Sequence, residues 1–168
     1  MQPIRAGIAA IETLYRQHSP ALVLYGLTLA GERSGAQDAV HQVFLKLIER
    51  GGLGPVDDVK AYLFASVRHA ILNDAHRRER QVPLEPESAW FDPPDRDYAA
   101  EMNLRRALRS LSDDQRQVTV LHIWGELTFA QIADVLDLSP NTAASRYRYA
   151  LAKLRDAMCA REEPCANS

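Results

Sequence analysis

Residues 128–154 read TFAQIADVLDLSPNTAASRYRYALAKL, and the reading of this stretch decides the fold. Thr128 followed by Gln131 forms a capping box, and Ile132, Ala133 and Leu136 put one apolar face on a short helix. Asp137 to Ser139 make a tight connection, after which Ser139 supplies an N-cap and Pro140 the first helical position of a second helix. Two helices on a three-residue joint are a helix-turn-helix pattern. On the second helix Ala143, Tyr147, Ala150, Leu151, Leu154 and Met158 recur at spacings of three and four, which assigns them to the core. The opposite face then carries Asn141, Thr142, Ser145, Arg146, Arg148, Tyr149, Lys153 and Arg155. Short hydrogen-bonding side chains near the helix start can reach base edges in a major groove, and the cations further along can pair with phosphates. From Pro140 to Arg161 there are five cations against one anion, although the whole chain carries a net charge of -2. Basic charge is concentrated where the motif needs it.

Upstream, Ser112 with Gln115 marks one more capped helix in the same half. Between Gln81 and Ala99 the composition changes abruptly, with Pro83, Pro86, Pro93 and Pro94 among five acidic residues and the single Arg96. Prolines remove backbone donors and bias their predecessors away from helix, so residues 81–99 read as an extended acidic linker, from which Trp90 and Phe91 can dock locally.

The N-terminal half is helical throughout. Ile8, Ile11, Leu14 and Tyr15 mark a first helix, and Ser19 with Pro20 starts a second that Gly31 ends. Ser34 with Gln37 caps a third, whose Val40, Val43, Phe44, Leu47 and Ile48 form one apolar stripe before Gly51 and Gly52 stop it. A long fourth helix runs from near Asp57 to about Arg80, burying Val59, Leu63, Val67, Ala70 and Ile71. Its end is basic: Arg68, Arg77, Arg78 and Arg80 supply charge, His69, Asn73 and His76 can meet bases, and Tyr62 and Phe64 lie upstream as aromatics suited to stacking on unpaired bases. A basic C-terminal turn also complements the helix dipole. No stretch alternates with period two for long enough to make a sheet, so the chain is all-α: two small helical domains, residues 8–80 and 100–160, joined by the acidic Pro-rich linker 81–99.

From about Ile11 to Met158 the chain resembles the extracytoplasmic-function (ECF) class of RNA polymerase sigma factors, members of the sigma-70 family with regions 2 and 4 only. AQDAVHQVFLKL is similar to the polymerase-clamp helix of region 2, VKAYLFASVRHAILNDAHRRER to the helix that opens and reads the minus-ten element, and LRRALRSLSDDQRQVTVLHIWGELTFAQIADVLDLSPNTAASRYRYALAKLR to region 4. The resemblance implies a core-polymerase contact through Asp38, His41, Gln42 and Lys46. It implies minus-ten contacts through Arg68, His69, Asn73, His76, Arg77 and Arg80, with the loop Gly51 to Asp58 pocketing a flipped base. It further implies minus-thirty-five contacts through Asn141, Thr142, Ser145, Arg146, Arg148, Tyr149 and Lys153. The chain departs from the family pattern at Gln37 and Gln42, where acids are usual, at His69 and Asn73, where Asn and Asp are commoner, at Asp137, which replaces a turn glycine, and at Ala144, which replaces a frequent lysine.

The expected partners are therefore bacterial RNA polymerase core and promoter DNA, with an anti-sigma protein as a further candidate, and the free chain is expected to be a cytoplasmic monomer. An autonomous helix-turn-helix regulator binding an operator without polymerase is the alternative. Enzymatic activity, a cofactor and a metal are not expected, because His18, His41, His69, His76 and His122 lack metal-ligand spacing and no phosphate loop or nucleophile elbow is present. Cys159 and Cys165 are too few and too clustered for a disulfide framework, and no apolar run is long enough to span a membrane.

Overall fold

The computed structural model describes residues 2–79, 103 and 106–159, with side chains from residue 7 onward except that of residue 79. The linker 81–99, with Trp90 and Phe91, lies outside the described residues, as do Arg80, Cys165 and the boundaries at 80 and 100. Helix α1 spans Gln2–Ala30, α2 Arg33–Glu49 and α3 Val59–Glu79. After the helical residues 106–110 come α4 (Asp113–Ile123), α5 (Phe129–Leu136) and α6 (Pro140–Cys159). Among the described residues there is no strand, and no helix is long and apolar enough to cross a membrane.

The N-terminal half packs α3 across the hairpin of α1 and α2. Ile11, Leu22 and Tyr25 from α1 meet Val40, Val43, Phe44 and Leu47 from α2 and Leu63, Phe64, Val67 and Ile71 from α3, all nearly or fully buried. Here two expected helix starts are corrected. Helix α1 runs unbroken through Pro20, so Ser19 and Pro20 begin nothing. Proline removes one intrahelical hydrogen bond, but the core residues Ile11, Leu22 and Tyr25 flank it on both sides and keep the two segments in one helix. Ser34 likewise does not cap α2. Glu32 takes the N-cap position without a side-chain cap bond, and its carboxylate pairs with Arg78 of α3 at 3.1 Å. At the other turn Gly31 ends α1 with φ +74, and its amide reaches the Leu27 carbonyl.

In the C-terminal half each capping signal forms. Ser112 and Thr128 both make reciprocal capping boxes, with Gln115 and Gln131, and Ser139 accepts from the Thr142 amide at 3.1 Å. Arg116 donates to the carbonyls of Leu108 and Leu111, which ties residues 106–110 to α4. The core holds Val118, Leu121, Leu127, Ile132, Ala143 and Ala150. Gly125 turns the chain between α4 and α5, where a Cβ would lie 2.5 Å from the Leu121 carbonyl oxygen, so only glycine fits. Two residues expected in this core are not there: Leu151 is 41% and Met158 66% exposed. The 20-residue α6 is far longer than the eight-residue α5 beneath it, and its last turns outrun their support.

The halves also touch. Tyr25 Oη donates to Gln117 Oε1 at 3.2 Å, Lys60 lies 3.6 Å from Glu126, and Gln131 Nε2 donates to an Asp58 carboxylate oxygen. Phe64 faces Gly125, where a Cβ would stand 3.1 Å from its ring. One continuous apolar cluster runs through both halves.

Candidate nucleic-acid interface

The helix-turn-helix is built as its sequence requires. Helix α5 ends at Asp137, whose φ of 55 and ψ of 57 put it in the left-handed region that short polar side chains tolerate. The amides of Asp137 and Leu138 both reach the Ala133 carbonyl, closing α5 before Ser139 opens α6. His122 locks the third wall of the domain. Its Nδ1 donates to the Leu127 carbonyl at 2.8 Å, while its ring stacks on Phe129 and meets Tyr147 edge-on, each at 4.6 Å between centroids.

On the outer face of α6 the residues expected to meet DNA divide into two groups. Asn141, Thr142, Arg148, Tyr149 and Lys153 are exposed, Tyr149 at 68%. Ser145 and Arg146 are half-buried. Arg146 forms an ion pair with Asp114 of α4 at 2.9 Å, and Ser145 Oγ accepts from Arg148 at 3.2 Å. Thr142 contributes its amide and hydroxyl to the Ser139 cap. The helix thus presents Asn141, Tyr149, Lys153 and an oriented Arg148 outward, with Arg146 bracing α6 against α4.

Along α3, His69, Asn73, His76 and Arg77 share one exposed face at spacings of four, three and one. Arg68 lies differently. It is half-buried beside Tyr25, and its Nε has no hydrogen-bond partner. Burial pushes the Tyr25 hydroxyl well above its ordinary pKa, against the opposing pull of the Arg68 guanidinium. Phe64, expected as a stacking platform for bases, is instead 1% exposed and packs edge-on against Tyr25 at 5.6 Å. Arg78 is held by Asp74 at 2.9 Å as well as by Glu32, so part of the basic end of α3 is neutralised internally.

Helix α2 turns Asp38, His41, Gln42 and Lys46 to solvent along one stripe. His41 Nε2 lies 3.2 Å from the Tyr15 hydroxyl. Next to the stripe is a surface the sequence reading missed: Ile8, Ile11 and Tyr15 of α1 with Phe44, Leu45 and Ile48 of α2 line an open apolar groove. Ile8 and Ile48, expected in the core, are 45% and 44% exposed, and Leu45 is 56% exposed. Leu45 was the available signal, because it is an apolar residue out of phase with the buried Val40, Val43, Phe44 and Leu47.

Residues 101–154 match the family described as Sigma-70, region 4. The chain is 27% identical over 159 residues to the ECF RNA polymerase sigma factor SigL of Mycobacterium tuberculosis, covering 89% of each chain. It is 27% identical over 162 residues to the RNA polymerase sigma-E factor of Streptomyces coelicolor, covering 92% of this chain and 89% of that one. In structure it is similar to the sigma factor RpoE of Bartonella quintana in complex with the anti-sigma factor NepR, with a TM-score of 0.72, 21% identity, and coverage of 90% and 98%. It is also similar to CnrH in complex with the cytosolic domain of CnrY, with a TM-score of 0.66, 22% identity, and coverage of 96% and 95%.

Proposed function

We propose that the chain is an extracytoplasmic-function sigma factor, which binds bacterial RNA polymerase core in the cytoplasm and directs it to a specific set of promoters. The observation that carries this reading is the recognition helix α6, which offers Asn141, Arg148, Tyr149 and Lys153 from a fully capped helix-turn-helix. Asn141 and Tyr149 are the base readers and Lys153 a phosphate contact, with Arg148 set by Ser145 between them. His69, Asn73, His76 and Arg77 on α3 act on the minus-ten element, and the loop at 51–58 receives its flipped base.

Polymerase contact falls to the α2 stripe of Asp38, His41, Gln42 and Lys46. The apolar groove beside it supports this assignment, since an exposed apolar surface next to a polar rim is the usual composition of a protein interface. The similar sigma factor of Bartonella quintana was solved with an anti-sigma factor, which supports a protein inhibitor as a third partner.

Transcription by sigma-free core from a promoter library tests the proposal. Addition of the chain gives initiation at a restricted set of start sites sharing two upstream elements. Initiation no different from core alone refutes it. Asn141→Ala should relax selection at one upstream base pair by about 1–3 kcal/mol, whereas Lys153→Ala should weaken all sequences alike and lower the salt slope by about one.

A further inference from the structure

The first turn of α4 is tied to the middle of α6 by one side chain from each helix. That turn is fixed in three ways: Ser112 and Gln115 close a capping box, Arg116 donates to the carbonyls of Leu108 and Leu111, and the same Arg116 pairs with Asp113 at 3.0 Å. Asp114, at the next position, reaches across to α6 instead and meets Arg146 Nη2 at 2.9 Å. Arg146 stands in the outward stripe of α6, where Thr142, Arg146, Tyr149 and Lys153 follow one another at spacings of four, three and four. Its side chain is 31% exposed, and among the described residues nothing else bonds to its guanidinium.

Neither stability nor affinity explains this pair. An ion pair whose carboxylate is 59% exposed contributes little to folding. Asp114 also lowers the positive charge of the face that approaches phosphates, which opposes binding to DNA of any sequence. What the pair supplies is direction. An arginine on an open helix face must be ordered when it binds, whereas one held by a fixed carboxylate has already lost that freedom. With one side of the fork on Asp114, the remaining donors are left to make the paired contact with O6 and N7 of a guanine in the major groove.

We propose that Asp114 is a positioning residue for promoter selection: without touching DNA, it aims Arg146 at a guanine of the minus-thirty-five element. This assignment rests on the function proposed above and adds Arg146 to its base readers. Removal of an acid whose work was only structural would weaken binding to all sequences. Removal of an aiming acid separates affinity from selectivity. Asp114→Ala should hold or raise affinity for unrelated DNA, since a negative charge leaves the face, while selection falls at one base pair.

Selection from promoter fragments randomised at minus thirty-five, by the chain together with core polymerase, reads the outcome, with circular dichroism to verify helix content. The unaltered chain should prefer G·C at one position by about tenfold or more. Arg146→Ala and the charge-keeping Arg146→Lys should both abolish that preference, and Asp114→Ala should reduce it roughly threefold to tenfold, with every other position unchanged. Asp114→Glu, which retains the charge, should keep most of it. In the Arg146→Ala background Asp114→Ala should add nothing, because it acts through the arginine. The proposal is overturned if Asp114→Ala leaves the preference intact, if it flattens all positions alike, or if Arg146→Ala only lowers the salt slope by about one, as loss of a phosphate contact would. The same selection with the chain alone keeps the two claims apart. Enrichment without core, with the same dependence on Asp114, sinks the sigma reading and leaves the positioning intact, and no enrichment either way overturns both.

Discussion

The two halves of the molecule stabilise their helices by different means. Helices α4 and α5 run 11 and 8 residues, and both begin in a reciprocal capping box. Helices α1 and α2 run 29 and 17 residues, α1 passes through an internal proline, and the N-cap of α2 makes no side-chain bond. A helix leaves four amides unpaired at its start whatever its length, so the ends weigh most in the shortest helices. Long helices are instead held by the side that they bury, as Ile11, Leu22, Tyr25, Val40 and Leu47 hold α1 and α2.

Leu22→Ala should break the N-terminal half most severely, by about 3 kcal/mol, because it opens a cavity at a fully buried site. Chemical denaturation measures it. Pro20→Ala should act in the opposite direction and raise stability by about 2 kcal/mol, since it restores one helical hydrogen bond where the core already enforces the helix. A loss of stability there would mean that the proline is matched to a bend on which the packing depends. Thr128→Ala should cost about 1 kcal/mol and loosen the helix-turn-helix in hydrogen exchange. Ser34→Ala, at a position where no cap bond forms, should stay within about 0.5 kcal/mol. Equal costs at these two positions would dissolve the contrast between the halves.

The smallest effect concerns His18, whose pKa is lowered by burial and by the nearby Lys60. The unfolded chain takes up this proton more readily than the folded one, so the stability present above pH 6.5 declines as the pH falls through 6.5 toward the lowered folded value. His18→Gln should flatten thermal stability between pH 7.5 and 5.5, about one unit either side of the ordinary histidine pKa.

The C-terminal half was legible in the sequence because its signals are local. Thr128 with Gln131, Ser139 with Pro140, and Asp137 at the turn each act within four residues, and all three form as read. The same local rules misread Ser19–Pro20 and Ser34–Gln37, where burial along long helices and the long-range pair of Glu32 with Arg78 decide the outcome. Periodicity placed the exposed faces of α2, α3 and α6, but it could not reveal that Arg146 is paired with Asp114, or that Phe64 lies beneath Gly125. The Asp58–Gln131 bond joins residues 73 positions apart, and nothing local to either residue announces it.

The central claim, that this surface works on polymerase and not alone, is tested most directly by equilibrium binding of one promoter fragment to the chain, to core, and to both together. The account predicts tight, sequence-selective retention only when both are present. Tight binding of an operator by the chain alone, unchanged by core, would contradict it and identify an autonomous regulator.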